Sequence, residues 1–207
     1  AIANGISTEG GLFVPESIPS LSLKQLESMA TSSYKSIAKT VLSLFLTDFT
    51  KEEIENCVNS AYTAKKFESD DTAPIHKLSG TASVLELWHG PTCAFKDMAL
   101  QILPHLMMTS AKTVLDNKEI VILVATSGDT GKAALEGFKD VPGTKIMVFY
   151  PDDGVSPMQK LQMTTQEGSN VGVCAIEGNF DDAQSGVKKI FGNETFAKES
   201  DSDCAFL

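Results

Sequence analysis

Short apolar runs of strand length alternate with helical segments from Pro74 onward, and this alternation constrains the fold of the chain most. The run 120–125 is continuously apolar, which is typical of a strand buried on both faces of a parallel sheet. Further strand patterns occupy 145–150 and 171–176, and helical patterns occupy 131–139, 156–167 and 180–191. A βαβαβα series of this kind predicts a parallel sheet with right-handed crossovers.

Three further strand candidates lie before and after this series. The segments 75–78 and 84–88 have strand character and are separated by a turn at Ser79 and Gly80. The last residues, 200–207, stop as a new apolar stretch begins, so we expect one more strand there. Because that stretch ends the chain, we expect the α/β domain to be incomplete.

The first part of the chain carries a different pattern and predicts a small helical domain. Apolar residues at helical spacing indicate helices over 21–30, over 34–49 and from Thr50 to about residue 67. Thr50 and Glu53 form the pattern of a capping box, which marks the start of the third helix. We therefore expect a helical amino-terminal domain, 1–72, followed by an α/β domain, 73–207.

Charge and composition exclude several classes of function. The formal net charge of −10 argues against a surface for nucleic acid or anionic membranes, which needs a basic face. No uninterrupted apolar run reaches the roughly 18 residues that span a bilayer. The four cysteines are even in number, so counting alone leaves disulfides open, but each lies inside or beside a regular-looking segment, which favours free thiols in a reducing compartment. Since the first residues also lack a signal-peptide pattern, we expect a cytoplasmic protein without nucleic-acid or membrane partners.

One candidate for chemistry is Lys96. Gly90 and Pro91 force a turn, after which Lys96 falls at the start of a helical pattern that runs to about residue 116 with a kink at Pro104. A solvated lysine is the ordinary interpretation of such a residue. The alternative is a Schiff-base lysine, because the positive potential of a helix amino terminus disfavours the ammonium form.

A second candidate is the loop 125–131, which directly follows the apolar run 120–125 and directly precedes a helical pattern. Its hydroxyls belong to Thr126, Ser127 and Thr130, and its glycines are Gly128 and Gly131. Hydroxyls, backbone amides and the helix dipole together suit a carboxylate or phosphate. The alternative is a capped helix start with Asp129 or Thr130 as the N-cap, and the sequence leaves both interpretations open.

Other chemistries are disfavoured by the sequence. A nucleotide-binding P-loop around Lys132 would need glycine at 126 and serine or threonine at 133, but the chain has Thr126 and Ala133. No strand candidate is followed by a dinucleotide-binding G-x-G-x-x-G motif, and the histidines have no spacing suited to a metal site. After 145–150, Ser156 with Pro157 predicts a capped helix start.

Five segments, taken in order, resemble threonine synthases of the bacterial and fungal type. They are NGISTEGGLFVPE at 4–16, LWHGPTCAFKD at 87–97, ATSGDTGKAA at 125–134, SPMQKLQMTT at 156–165 and EGNFDDAQ at 177–184. The second resembles the cofactor-lysine motif of that family, and the third resembles its substrate loop. The resemblance covers essentially the whole chain.

The resemblance implies a fold-type-II pyridoxal-phosphate enzyme with a helical amino-terminal domain and a parallel-sheet domain like that of tryptophan synthase β. It also implies a carbon–oxygen lyase that converts O-phospho-L-homoserine and water to L-threonine and phosphate. Lys96 would carry the cofactor and act as acid and base, with Phe95 and Asp129 beside the cofactor. The substrate-binding residues would be Thr126, Ser127, Gly128, Asp129 and Thr130.

Members of the resembling family are considerably longer than this chain. Their glycine-rich loop for the cofactor phosphate and their partner for the pyridine nitrogen lie beyond the stretch that corresponds to residues 1–207. We therefore expect a carboxy-terminal remainder to complete the enzyme, and little or no activity from this chain alone. Two other functions stay open: a threonine-synthase-like phospho-lyase that releases a keto acid, and a non-catalytic binding module.

Overall fold

The chain folds into a helical amino-terminal part, a short hairpin and a parallel sheet with helices packed against it. The computed structural model describes residues 1–114 except 4, 6, 8 and 10, residues 119–191, residue 193 and residues 204–206. Several predicted features lie outside the described residues: the helix end at about residue 116, residues 4, 6, 8 and 10 of the opening segment, and residues 200–203 and 207 of the final apolar stretch.

The amino-terminal part contains three helices, as predicted: α1 (Leu23–Met29), α2 (Tyr34–Phe45) and α3 (Lys51–Ala61). Helix α3 ends at Ala61 and not at about residue 67 as predicted. The predicted capping box is confirmed, because the backbone amide of Glu53 donates to Thr50 Oγ1 at 3.2 Å and that of Thr50 donates to Glu53 Oε2 at 2.8 Å. Helix α2 is shorter than predicted. Thr50 needs extended backbone to serve as an N-cap, which leaves only residues 46–49 to reverse the chain.

An antiparallel hairpin follows, formed by β1 (Ile75–Lys77) and β2 (Ser83–Leu85). The backbone amide of Leu78 donates to the carbonyl of Ala82 at 3.0 Å and closes the predicted turn. Both strands are shorter than the segments 75–78 and 84–88 that the sequence indicated. The backbone amide of Glu86 still donates to the carbonyl of Pro74 at 2.9 Å, and the residues after it lead toward Lys96.

The long helix predicted after Lys96 is instead two helices, α4 (Asp97–Leu100) and α5 (Leu103–Val114). The interruption comes before Pro104 rather than at it. Proline has no N–H to donate to the carbonyl of Leu100, and its ring crowds that carbonyl. The chain therefore leaves the helix after Leu100, and Pro104 takes the second position of a new helix, where no amide is needed.

The predicted parallel sheet is confirmed. Its strands are β3 (Glu119–Ala125), β4 (Thr144–Pro151), β5 (Val171–Ile176) and β6 (Cys204–Phe206), and the connecting helices are α6 (Asp129–Phe138), α7 (Pro157–Thr164) and α8 (Phe180–Phe191). The strand order is β5-β4-β3-β6, and all three pairings are parallel. Strand β6 lies in the final apolar stretch, where we expected a further strand.

Strand β3 is not buried on both faces, contrary to the prediction. Ile120 and Ile122 are buried in the core, whereas Val121 and Leu123 are only half-buried. Helices α5, α6 and α7 contribute to the core around the first pair. Helix α8 packs against β3 and β4, and among the described residues the second face keeps part of its exposure.

Two apolar clusters meet at α5 and position the helical part against the sheet. Met107 and Ala111 of α5 pack in the cluster that contains β3, β4 and α6. Ile102, just before α5, and Leu106 of α5 pack in the cluster formed by α3 and the residues after it. The hydroxyl of Tyr62 also donates to the carbonyl of Met98 at 2.7 Å. The start of the α/β part therefore shares its core with the helical part.

Among the described residues, no helix is both long and apolar enough to cross a membrane. Cys57, Cys93 and Cys174 are free thiols, of which Cys57 is buried and hydrogen-bonded to Thr109.

Candidate functional site

An open cleft of about 490 Å³ lies where β3 ends and α6 begins. It is lined by Lys96, residues 125–130, Gln159 and Phe180. Open α/β sheets place their ligand sites at the carboxyl ends of the strands, where this cleft lies. The structure therefore brings Lys96 together with the loop that the sequence singled out, although 29 positions separate Lys96 from Ala125.

Lys96 stands directly before α4 as its N-cap residue and is half-buried. Its Nζ lies 4.6 Å from the centroid of the Phe95 ring, within the range of a cation–π contact. Phe95 is 58% exposed and does not line the cleft itself. Among the described residues, no carboxylate forms an ion pair with Lys96, so its amine is available at the edge of the cleft.

Asp97, the neighbour of Lys96, is fully buried and holds the loop before α4. Its carboxylate accepts hydrogen bonds from the backbone amide and the hydroxyl of Thr92, both at 2.8 Å. Burial raises the pKa of Asp97, although both hydrogen bonds from Thr92 favour the carboxylate form. The contact between Asp97 and Thr92 closes residues 92–97 into a turn and so fixes the backbone that carries Lys96.

We expect Asp97→Ala to lower the free energy of unfolding by about 2 kcal/mol, because it leaves a buried amide and a buried hydroxyl without an acceptor. Asp97→Asn should cost less, since its amide oxygen still accepts one of the two hydrogen bonds. Asp70→Ala, at an exposed position, is the matched control. Urea unfolding measures the three values, and equal stability of Asp97→Ala and Asp70→Ala would contradict the prediction.

The loop between β3 and α6 is shaped by Thr126, which is buried. Its Oγ1 accepts from the backbone amides of Gly128 at 3.1 Å and Gly131 at 2.9 Å, and donates to the carbonyl of Gly128 at 3.1 Å. Gly128 is the N-cap of α6, so the alternative of Asp129 or Thr130 as N-cap is wrong. The hydroxyl of Thr126 supplies the capping interaction from two residues before the cap.

The first turn of α6 opens onto the cleft. Ser127, Asp129 and Thr130 are exposed there, and the hydroxyls of Ser127 and Thr130 stand beside the amino terminus of the helix. Helix α6 runs from Asp129 to Phe138, so its dipole places positive potential at the cleft. Hydroxyls and backbone amides at such a helix start suit an anionic group of a ligand.

Gln159 lines the cleft and was not singled out from the sequence. Its Nε2 donates to Asp129 Oδ1 at 2.8 Å, and its Oε1 accepts from the backbone amide of Ser156 at 3.2 Å. Gln159 thereby joins the loops that follow β3 and β4. A Cβ on Gly128, whose φ is +156°, would lie 2.4 Å from Gln159 Nε2, so glycine gives the carboxamide its room.

The pattern Ser156-x-x-Gln159 could have marked this residue as part of a capping box, and the structure confirms the cap with Pro157 at the first helical position. Its reach to Asp129 depends on the packing of α7 beside α6, which no local pattern shows. Phe180, at the start of α8, was also missed and adds an aromatic ring to the cleft.

Comparison with known proteins connects this geometry to one family. Residues 1–62 match the family described as threonine synthase N terminus. The chain is 37% identical to threonine synthase of Schizosaccharomyces pombe, over 96% of its own length and 40% of that protein. It is 40% identical to threonine synthase of Pseudomonas aeruginosa, over 94% of its own length and 41% of that protein. Threonine synthase-like 2 of Xenopus laevis is 34% identical, over 95% of the chain and 41% of that protein.

Solved structures agree with the sequence comparison. The fold is similar to that of PLP-bound threonine synthase from Brucella melitensis, with a TM-score of 0.87 and 35% identity, over 100% of this chain and 43% of that one. The chain thus spans about two fifths of the length of the curated relatives it matches. By sequence over nearly its whole length and by fold, the chain is related to the threonine synthases and corresponds to their amino-terminal part.

Proposed function

We propose that this chain forms the amino-terminal part of a pyridoxal-phosphate-dependent threonine synthase. The reaction would convert O-phospho-L-homoserine and water to L-threonine and phosphate. The observation that carries this proposal is one cleft in which the amine of Lys96 stands near an anion-binding helix start, at 125–130. The resemblance to threonine synthases in sequence and fold supports it.

The donor set of the cleft fits pyridoxal phosphate. A primary amine, that of Lys96, is the group that can bond to an aldehyde, and it is not tied up in an ion pair with the described residues. Lys96 and Asp129 line the cleft and would hold the cofactor, and Phe95 would contribute through its contact with the amine of Lys96. When bound, pyridoxal phosphate supplies an electron sink for the electron pair that stays on the carbon next to the substrate amine when its proton is removed.

Other steps would depend on residues of the chain itself, which would bind the substrate, transfer protons and shape the loop. Ser127, Thr130 and the first amides of α6 would bind the carboxylate of O-phospho-L-homoserine, with the helix dipole adding to the attraction. The amine of Lys96 would accept and return protons as catalytic acid and base. Thr126 and Gly128 would contribute through the shape of the loop, because the hydroxyl of Thr126 is engaged with the backbone of Gly128.

The wider organisation is also proposed. We infer a helical domain, 1–72, and an α/β pyridoxal-phosphate domain, 73–207, in which Met98, Ile102 and Leu106 pack against the first domain. A carboxy-terminal remainder would supply the grip on the cofactor phosphate, since the relatives are much longer than this chain. We therefore expect weak cofactor binding and little turnover from this chain alone. A cytoplasmic location is proposed with it.

A second candidate function is a threonine-synthase-like phospho-lyase, which would eliminate phosphate and release a keto acid. The similarity to threonine synthase-like 2 favours keeping it. A third, a binding module without catalysis, follows from the chain's limited share of its relatives. The three functions differ in whether Lys96 is required and in which product forms.

The test is a titration of the chain with pyridoxal phosphate, followed by absorbance, in the presence and absence of O-phospho-L-homoserine. We expect saturable binding that the substrate perturbs, and a weaker perturbation in a Ser127→Ala, Thr130→Val double variant. Product analysis distinguishes threonine from a keto acid if turnover occurs. The proposed function would be contradicted if the absorbance change rose with cofactor concentration without saturating. It would also be contradicted if O-phospho-L-homoserine had no effect on the spectrum.

A further inference from the structure

A second cavity, of about 880 Å³, lies at the opposite end of α6 from the cleft. Small-molecule sites have volumes of about 300–1,000 Å³, so this cavity is large enough for a ligand. Its walls come from α3, α5, the end of α6 and the residues that lead to β4. The basic side chains in those walls are Lys66, His105, Lys112 and Lys139.

The three lysines of this cavity are without ion pairs among the residues that the structure describes. Each of them still feels the charge of one carboxylate: Glu136 acts on Lys66, Glu53 acts on Lys112 and Asp140 acts on Lys139. An anion entering the cavity would therefore meet three ammonium groups that form no close ion pair with the described residues.

The carboxylates near the lysines are held by other partners. Glu136 Oε2 accepts from Gln166 Nε2 at 3.0 Å and lies 3.6 Å from Lys132 Nζ. Asp140 Oδ1 accepts from the backbone amide of Ser169 at 2.9 Å and from its hydroxyl at 3.1 Å. Glu53 is engaged in the capping box of α3. Glu136 and Asp140 also line the cavity, so its walls carry three lysines against two carboxylates.

Lys66 is the lysine of this cavity whose pKa is lowered by burial. It is half-buried, and Glu136 only partly offsets the effect of burial on its pKa. Burial also lowers the pKa of the neighbouring His105, and the charge of Lys66 lowers it further. An ammonium that has lost water without gaining a matched anion carries a desolvation cost. A bound anion would compensate that cost and favour the charged form of Lys66.

We propose that this cavity binds a small molecule that carries a phosphate group, through the ammonium groups of Lys66, Lys112 and Lys139. A phosphate dianion accepts hydrogen bonds from several donors at once, which matches three lysines better than a single carboxylate does. The chain as a whole has a formal net charge of −10, so binding depends on this local excess of donors. The proposal is independent of the function proposed for the cleft.

The first test measures the affinity for inorganic phosphate by titration calorimetry, with sodium chloride keeping the ionic strength constant. We expect Lys66→Met and Lys139→Met each to weaken phosphate binding by about tenfold. Lys66→Arg should retain it because the charge is kept. Lys24→Met, which removes an exposed lysine of α1, is the matched control. Unchanged affinity in Lys66→Met and Lys139→Met would overturn the proposal.

The second test reads the site in the unaltered chain. Acetylation of each lysine is followed by mass spectrometry with and without phosphate, and we expect protection of Lys66, Lys112 and Lys139 but not of Lys24. The Ser127→Ala, Thr130→Val variant should keep this protection, since its changes lie at the other end of α6. Protection that disappears in that variant, or that is absent from the three lysines, would show that phosphate binds only elsewhere.

Discussion

In the Lys96→Ala variant, borohydride reduction after incubation with pyridoxal phosphate is expected to leave at least about tenfold less cofactor on the chain than in the unaltered protein. Only a deprotonated amine attacks the aldehyde of the cofactor. Lys96 is the lysine that lines the cleft, beside the first turn of α6. Reduction makes the bond between its nitrogen and the cofactor permanent, so intact mass counts one adduct per chain.

Two variants make this measurement specific to the cleft. Lys24→Ala removes an exposed lysine of α1 and should leave the adduct unchanged. Lys66→Met removes the half-buried lysine of the second cavity, and it should also leave the main adduct in place. If Lys96→Ala were labelled as fully as the unaltered chain, Lys96 would not be the cofactor lysine. A fall in labelling in Lys66→Met alone would transfer that role to the other cavity.

The architecture was predictable because its signals are local. The alternation of apolar strand runs with helical segments predicted the parallel sheet, and all its pairings are parallel. The capping box at Thr50 fixed the start of α3. Helix lengths were overestimated where apolar periodicity continues through residues that cannot be helical. Helix α2 ends at Phe45 because residues 46–49 must reverse the chain before the N-cap Thr50, and Pro104 divides the long helix into α4 and α5.

The candidate site was predictable in its parts but not in its connections. The sequence identified Lys96 and the loop 125–130 separately, and the topology of the sheet brings them into one cleft. Gln159 escaped notice because its contact with Asp129 spans 30 positions and arises only when α7 lies beside α6. The second cavity escaped for the same reason, since its lysines come from separate elements of the chain.

Helix α6 connects the two cavities, and Gly137 is the residue on which its placement depends. A Cβ at Gly137 would lie 2.2 Å from the carbonyl oxygen of Leu100, the last residue of α4. Pro104 cannot donate an N–H to that carbonyl, and the helical structure is interrupted between the end of α4 and the start of α5. Because backbone rather than a mobile side chain blocks the added carbon, the two helices would have to move apart.

We therefore expect Gly137→Ala to lower the free energy of unfolding by about 3 kcal/mol, even though alanine favours a helix by about 1 kcal/mol over glycine. Gly186→Ala in α8 is the matched control, since nothing lies within 4 Å of the added carbon. That variant should stabilise the protein by about 0.5–1 kcal/mol. Urea unfolding of both variants gives the two values, and a Gly137→Ala variant as stable as the control would contradict the close packing of α4 and α6.

The same substitution should also weaken labelling at Lys96, although Gly137 lies at the far end of α6 from the cleft. Lys96 directly precedes α4 and the loop 125–128 directly precedes α6, so the distance between these helices sets the distance between amine and loop. We expect less adduct at Lys96 in the folded Gly137→Ala variant, measured below its unfolding transition. An unchanged adduct in a destabilised variant would show that the cleft tolerates a shift of α4 against α6, and that the loop around Asp97 alone positions Lys96.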